Sequence, residues 1–351
     1  MSSSTSTSSR PAPGLDRGRS TDRRALGAVV LIVALVAASF LSLAVGSADI
    51  SLESVWRAIV AYDAADPEHI AIIDKRLPRT VVGIAVGAAL GLAGAVAQGL
   101  TRNPIADPGL LGISPGAALA VVVGIVAFGV TNPAGYLWFA FAGACIASAL
   151  VWFIASRGRD GATPVKLTLA GAAIGAATTS LVSGLLIARA EALDTMRFWQ
   201  VGALAGRGFD VLGPIAPFLI VGVVAALLLG RPLNLLALGD DTAAGLGLNV
   251  GRTRLLVGAI LVVLVGTATA VAGPISFLAL VVPHAVRRFT GPDYRWILPY
   301  SAPAAAAILL FADVAARIVA RPSELQVGIV VAVVGAPVFI ALIRRGRAAG
   351  L

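Results

Sequence analysis

Long uncharged segments alternate with short polar ones along most of the chain, a pattern typical of helices that cross a bilayer. A helix needs about 20 apolar residues to span the hydrocarbon core. Two segments are too long for one span, and each contains helix breakers: residues 131–135 in the first, and Gly273 with Pro274 in the second. The pattern therefore predicts an all-α polytopic membrane protein with about ten transmembrane helices. The uncharged segments are 25–48, 80–101, 108–156, 167–188, 211–230, 255–286, 296–312 and 325–343.

Polar residues flank this membrane domain at both ends. Residues 1–24 are rich in Ser, Thr, Pro and Arg and are predicted to form a disordered cytoplasmic tail. The membrane domain then covers 25–346, and 347–351 form a short second tail. A cleaved secretory signal is the alternative for the first apolar segment. That segment is longer than the roughly 7 to 15 residues of a signal core, which favours a retained helix.

Composition and charge agree with a membrane protein and give its orientation. Of 351 residues, 58% are hydrophobic and 13% are charged, whereas soluble domains carry about 25% charged residues. The net charge of +9 does not indicate nucleic-acid binding, because that function needs a basic soluble surface. With the N-terminus inside, ten spans place 18 of the 27 Lys and Arg residues in the cytoplasm. Both termini are therefore predicted to be cytoplasmic, in a multi-pass protein of the cell membrane.

Catalytic and metal-binding patterns are weak. Cys145, His69 and His284 are far apart in sequence, so no metal site is predicted. Residues 112–116 fit the Gly-x-Ser-x-Gly pattern of a nucleophile elbow, but that motif requires a strand, a turn and a helix with a converging His and acid. A membrane-embedded hydrolase using Ser114 is kept as the enzymatic alternative.

If the chain is a transporter, its sequence bears on whether ATP or an ion gradient supplies the energy. The chain contains no Gly-x-x-x-x-Gly-Lys-Ser/Thr motif, so ATP would be bound and hydrolysed by a separate chain. Ion-coupled transport places acids within the spans. The clear acid near a span is Asp313, four residues before Arg317, a spacing that favours a helix ion pair. An ion-coupled secondary transporter remains the alternative.

Small residues recur at helical spacing in the second span, at Gly83, Gly87 and Gly91. Small residues allow membrane helices to pack with their backbones in close contact. We therefore predict that this span lies in a tight helix bundle.

Two polar regions are candidates for partner binding. The loop at about 232–252 is as long as two short helices, and Asp240 and Asp241 suit the start of a helix. It would either dock a partner or lie on the membrane surface. On the outside, arginines flank the second and ninth spans. They would either anchor helix ends or recognise carboxylates of a docking protein.

Seven short motifs follow one another along the chain: Arg76-Leu77-Pro78-Arg79, Thr101-Arg102-Asn103-Pro104, Leu238-Gly239-Asp240, Gly273-Pro274-Ile275-Ser276-Phe277, Val282-Pro283-His284, Ala312-Asp313 and Gly335-Ala336-Pro337. Together these motifs resemble the FecCD family, the permeases of ABC importers for ferric siderophores, haem and cobalamin. The match runs from about residue 76 to residue 345.

The resemblance implies roles for particular residues. Three outer arginines would receive acidic residues of an extracytoplasmic substrate-binding protein: Arg76, Arg79 and Arg317. Asn103 and Ile105 would belong to a cytoplasmic gate. Residues of the loop at 232–252 would couple to the ATPase, namely Gly239, Asp240, Asp241, Ala244, Leu246 and Gly247.

The resemblance also implies the function and the partners. The chain would be the permease subunit of a type II importer that moves a ferric siderophore across the cytoplasmic membrane, with cobalamin or haem as alternative substrates. Its partners would be an ATP-binding cassette ATPase dimer, the substrate-binding protein, a second permease subunit and membrane lipid. The permease itself would need no cofactor and would not be an enzyme.

Overall fold

A computed structural model describes residues 17–46, 50–130, 132–157, 162–189 and 199–348, together with 193, 196 and 197. Within these residues all regular structure is helical, including a π-helix at Ala71–Arg76 and a 3-10 turn at Pro108–Leu111. The α-helices are α1 (Arg17–Ala44), α2 (Leu52–Val60), α3 (Pro67–Ile70), α4 (Leu77–Thr101), α5 (Ile113–Phe128), α6 (Pro133–Ala155), α7 (Pro164–Ala188), α8 (Phe209–Leu228), α9 (Gly230–Ala237), α10 (Asp240–Gly245), α11 (Val250–Ala272), α12 (Leu278–Thr290), α13 (Tyr294–Val319) and α14 (Val327–Ala348).

The predicted all-α membrane architecture is confirmed. The eight predicted apolar segments, divided by the two breaks into ten predicted spans, coincide with the greater part of ten α-helices, one for each span. In the described residues, seven helical segments are long and apolar enough to cross a membrane, and two shorter apolar helices lie at Ile113–Phe128 and Val327–Ala341. With 13 residues, α12 is only about 20 Å long. The count of ten complete spans and the side of the termini stay predictions.

The predicted domain boundaries stay predictions. Helix α1 is described from Arg17, and its membrane-length apolar part starts at Arg24, next to the predicted boundary at residue 25. Once the apolar part has formed a helix, each further residue adds a hydrogen bond at little cost, and arginine is a good helix former. At the other end α14 includes 347 and 348. Residues 1–16 and 349–351 of the predicted tails lie outside the described residues.

Helix α4 is the centre of the bundle and packs against α13, α11, α12 and α8. Two of the predicted packing glycines, Gly87 and Gly91, face the backbone of α13, while Gly83 faces the side chains of Leu310 and Leu204. A Cβ atom on Gly87 would lie 2.6 Å from the Cα of Ala306, and one on Gly91 would lie 2.2 Å from the carbonyl oxygen of Ser301. The predicted packing role of these small residues is therefore confirmed, because any side chain there would force α4 and α13 apart.

A segment before α8 passes between helix ends inside the bundle. The backbone N–H of Ala203 donates to the carbonyl oxygen of Ala272 at 2.8 Å, and that of Gly328 donates to the carbonyl oxygen of Gly202 at 3.1 Å. Trp199 is fully buried beside them. These bonds satisfy backbone groups where α11 ends and α14 begins, an arrangement that the apolar pattern did not predict.

Candidate functional site

Charged residues gather at both ends of the bundle. We call the end with Arg76, Arg79 and Arg317 the outer end and the end with residues 102–105 and 229–249 the inner end, after their predicted sides. The outer arginines lie around a cavity of about 560 Å³. Its lining includes Asp74, Lys75, Arg76, Arg79, Arg207, Asp210, Arg317 and Glu324.

At the outer end Arg79 links α4 to α13 and to the segment before α14. Its Nε and Nη2 atoms donate to the carboxylate of Asp313 in α13 at 2.8 to 3.2 Å, and its Nη1 atom donates to Glu324 before α14 at 2.7 Å. The side chain is only 12% exposed. The guanidinium is thus held by two carboxylates of its own chain, in the forked geometry that suits arginine.

Arg317 belongs to the same cluster and contacts the same carboxylate. Its Nη2 atom lies 3.1 Å from Asp313 Oδ2, which confirms the predicted ion pair one helical turn apart. Its Nη1 atom donates to the carbonyl oxygen of Ser42 in α1, and Nη2 also donates to the Ser42 hydroxyl, each at 3.0 Å. Arg317 is 1% exposed and Asp313 is fully buried. Two arginines therefore share one buried carboxylate.

The third predicted arginine is also buried. Arg76 donates from Nη1 to the carbonyl oxygens of Leu43 and Ala44, at 2.8 and 2.9 Å, where α1 ends. The structure brings Arg76, Arg79 and Arg317 together around one cavity, where their guanidinium groups stabilise helix ends and hold carboxylates of the same chain. Their role in docking stays a prediction.

Sequence reasoning did not single out Arg207, which also lines the outer cavity. Its Nε atom is buried and has no hydrogen-bond partner among the described residues. Burial lowers the pKa of Arg207, and the nearby Tyr136 and Asp210 oppose that effect. Arg207 is one of three arginines between two predicted spans, with Arg189 and Arg197, and nothing in the sequence separates it from the other two.

At the inner end the predicted coupling loop folds into two short helices, α9 and α10. The turns around α10 occur at Gly239 and Gly247, with φ of +103° and +86°, a region that favours glycine. Asp240 and Asp241 occupy the first turn of α10, where acids suit the helix dipole. Of the other predicted coupling residues, Ala244 is exposed, and so is Leu246, by 60%. Leu238, between the two helices, is 58% exposed.

A polar contact fixes α9 to the rest of the bundle. Asn234 donates to Asp293 at 2.6 Å, and its side-chain oxygen accepts the backbone N–H of Tyr294 at 2.9 Å. Asp293 also caps α13 by accepting the N–H of Arg295. The hydrogen bond from Arg295, aided by those from Asn234 and the backbone, lowers the pKa of Asp293 to about 2 against the opposing effect of burial.

The predicted gate residues Asn103 and Ile105 lie in the loop after α4. The Asn103 side-chain oxygen accepts the N–H of Ile105 at 3.1 Å, which forms a tight turn, and both side chains are exposed. Arg102, directly before them, forms an ion pair with Asp240 of α10. The structure therefore joins the predicted gate to the predicted coupling segment, a contact that sequence reasoning missed.

The described residues show no arrangement for the alternative chemistries. Ser114 lies in the first turn of α5 and makes no hydrogen bond to a histidine or an acid in the described part of the chain. The same part contains no group of three or more His, Cys, Asp or Glu residues that could hold a metal ion. The geometry thus gives no support to a hydrolase that uses Ser114.

Comparisons with known proteins agree with this architecture. Residues 34–345 match the model of the FecCD transport family. The chain is 44% identical to the ferric enterobactin transport system permease protein FepD of Escherichia coli, over 93% of this chain and 97% of FepD. It is 41% identical to the probable siderophore transport system permease protein YfiZ of Bacillus subtilis, over 91% and 95% of the two chains. A solved metal-chelate type ABC transporter in an inward-facing conformation has 28% identity and a TM-score of 0.79, covering 90% of this chain and 98% of that one.

Proposed function

Because the chain belongs to the FecCD transport family, we propose that it is the permease subunit of an ATP-driven importer of ferric siderophores. Two relatives with over 40% identity are named as permeases for a siderophore and for ferric enterobactin, and both align over more than nine-tenths of their length. A haem importer is the second candidate, favoured by 36% identity to the hemin transport permease HmuU of Yersinia pestis.

The observation that carries this proposal is the coupling segment at the inner end. Leu238 and Leu246 expose apolar side chains beside α10, while Ala243 on its other face is buried. A short helix with an exposed leucine just beyond each end, fixed by two glycine turns, suits insertion into a cleft of a partner protein. We assign this cleft to an ATPase dimer, which would bind the ATP.

At the outer end, the proposed partner is a substrate-binding protein that carries acidic residues. The three arginines and the two carboxylates of Asp313 and Glu324 leave the cluster with one net positive charge, since three positive minus two negative charges is one. Among the other charged residues of the lining, Lys75 and Arg207 are balanced by Asp74 and Asp210, so the cavity keeps one net positive charge, with Lys75 exposed at its rim. A net positive charge attracts carboxylates on a docking partner.

A second permease subunit completes the proposed importer, as a copy of this chain or a homologue, with lipid around both. The translocation path would lie between the two subunits and would open alternately to each side. ATP binding would close the ATPase dimer and move the coupling segments.

Reconstitution tests the proposal directly. The permease would be co-expressed with candidate ATPase and binding-protein chains from the same organism and placed in liposomes, with uptake of ⁵⁵Fe-enterobactin, ferric citrate and haemin measured. We expect uptake of a ferric siderophore that requires both ATP and the binding protein. Uptake that persists without ATP and follows an ion gradient would contradict it, and uptake of haemin alone would favour the second candidate.

Docking is tested best at Lys75. Charge reversal at Arg79 and Arg317 should abolish uptake, but it would also leave Asp313 without its partners and so disturb folding. Lys75→Glu leaves the buried pairs intact and is expected to weaken binding-protein affinity about tenfold. Arg57→Glu, on the exposed surface of α2, is the matched control and should have no effect. Equal affinities of the Lys75 variant and the wild type would argue against docking on this rim.

A further inference from the structure

Asp240 is the point at which the coupling segment contacts two other inner elements. Its Oδ1 atom forms an ion pair with Arg102, which follows α4. Both carboxylate oxygens also accept hydrogen bonds from Nη2 of Arg254 in α11, at 2.8 Å for Oδ1 and 2.9 Å for Oδ2. We infer that Asp240 is a positioning residue that transmits movement of the coupling segment to the loops at the inner mouth. This inference rests on the proposed function, because it supposes that an ATPase moves α10.

The first connection leads to the predicted gate. Arg102 is the C-cap of α4 and has a φ of +51°, a left-handed conformation that is uncommon for residues other than glycine. Its N–H bonds to the carbonyl oxygen of Gln98 in that conformation. Asn103 follows directly. A shift of the Arg102 side chain with Asp240 would thus act on a short, sharply turned backbone that leads straight into the gate.

The second connection leads to the loop before α7. Arg254 is buried, and its Nη1 atom lies 3.5 Å from the carbonyl oxygen of Ala162. Its Nε atom has no hydrogen-bond partner among the described residues. The guanidinium is therefore held by Asp240 on one side and weakly by the Ala162 carbonyl on the other. Movement of Asp240 would carry Arg254 with it and change its contact with that loop.

The space around Asp240 allows such movement. A cavity of about 420 Å³ separates α10 from α6 and the start of α11, and Asp240, Ala162 and Arg254 all contribute to its wall. Charge makes the connection cooperative, since one carboxylate bridges two guanidinium groups and offsets part of the repulsion between them. Without that carboxylate the two cations would repel each other, and both connections would be lost together.

The test measures two quantities separately: the movement of the gate, and the coupling ratio, which is the siderophore uptake per ATP hydrolysed. In a Cys145→Ser background, Ile105→Cys carries a spin label, and the permease is reconstituted with its ATPase and binding protein. Label mobility is measured with and without ATP and vanadate, and ⁵⁵Fe-siderophore uptake is measured per ATP hydrolysed. We expect Asp240→Asn to keep the ATPase bound, to remove the ATP-dependent change at position 105, and to lower uptake per ATP by about tenfold.

Further variants separate transmission from folding. Asp240→Glu keeps the carboxylate and should restore most of the signal, while Arg254→Gln should lower the coupling ratio. Arg288→Gln is the matched control, since Arg288 is an exposed arginine of α12 outside the coupling loop at 232–252, and it should match the wild type. An unchanged label response in Asp240→Asn, or loss of ATPase binding by that variant, overturns the inference. If the wild type itself shows no ATP-dependent change, the proposed function fails, and the inference fails with it.

Discussion

Arg79 of α4 and Asp313 of α13 form a two-pronged ion pair between residues that lie 234 positions apart in the sequence. Asp313 also holds Arg317, and the carboxylate is fully buried between the two. A buried carboxylate with two cations is a strong constraint, because removal of the acid leaves uncompensated charges in the interior.

We therefore predict that Asp313→Asn destabilises the protein by about 3 to 5 kcal/mol. Thermal unfolding in detergent, followed by size-exclusion fluorescence, would measure the loss. Glu324→Gln is the control, because Glu324 contacts the same Arg79 but is 28% exposed. Its effect should be about 1 kcal/mol or less. Equal losses in both variants would show that burial of Asp313 does not determine the stability.

A second prediction concerns Gly94, where α4 crosses the start of α12. A Cβ atom there would lie 1.7 Å from the carbonyl oxygen of Ala279. Gly94→Ala must push these helices apart, and we expect a loss of at least about 3 kcal/mol. Gly213→Ala in α8 has open space around it and should change stability by less than about 0.5 kcal/mol. Folded yield in detergent compares the two, and a well-folded Gly94 variant would contradict the packing described.

The coupling segment yields a third prediction. Leu246→Glu should weaken ATPase binding by about 2 kcal/mol, or roughly thirtyfold, because a buried leucine contributes that much apolar burial. Binding of the ATPase to the permease in nanodiscs would be titrated. Trp56→Glu is the control at the opposite end, on an exposed side chain of α2, and should bind normally. A Leu246 variant with wild-type affinity would favour the membrane-surface alternative for this segment.

A fourth prediction concerns pH and the cap of α13. The pKa of Asp293 falls from 3.8 to about 2 on folding, so its contribution is present above about pH 4 and is lost as the pH falls towards 2. Between pH 5 and 8 the carboxylate stays charged. Asp293→Ala should therefore cost about 1 kcal/mol, the usual value of a helix N-cap, and the same amount at every pH in that range. Unfolding midpoints at pH 5, 6, 7 and 8 would check this, and a difference that varies with pH would contradict it.

The apolar pattern predicted the helices because membrane spans are defined by local composition. The breakers at 131–135 and at Gly273 lie where one helix ends and the next begins. The Asp313–Arg317 pair was also predictable, since its partners are one turn apart. By contrast, the pairs Arg79–Asp313 and Arg102–Asp240 depend on which helix ends meet, and neither spacing nor composition carries that information.

The burial of the outer arginines could not be predicted from spacing or composition either. Arginines at the outer end were predicted as anchors or docking groups, because sequence places them near the membrane boundary. The structure shows that Arg76 is buried by the end of α1 and Arg317 by Ser42. Only the fold determines that the carbonyl groups of a helix more than 30 residues away cover these side chains.

The close backbone contact between α4 and α13 also determines which parts of the protein can move. Side chains that interlock can change rotamer and let helices slide, but at Gly87 and Gly91 the neighbouring backbone lies where a side chain would be. The outer ends of the same two helices are joined by Arg79 and Asp313. Helices α4 and α13 should therefore behave as one rigid body during transport. Opening and closing would then fall to the elements around this body, such as α7, much of whose surface is exposed.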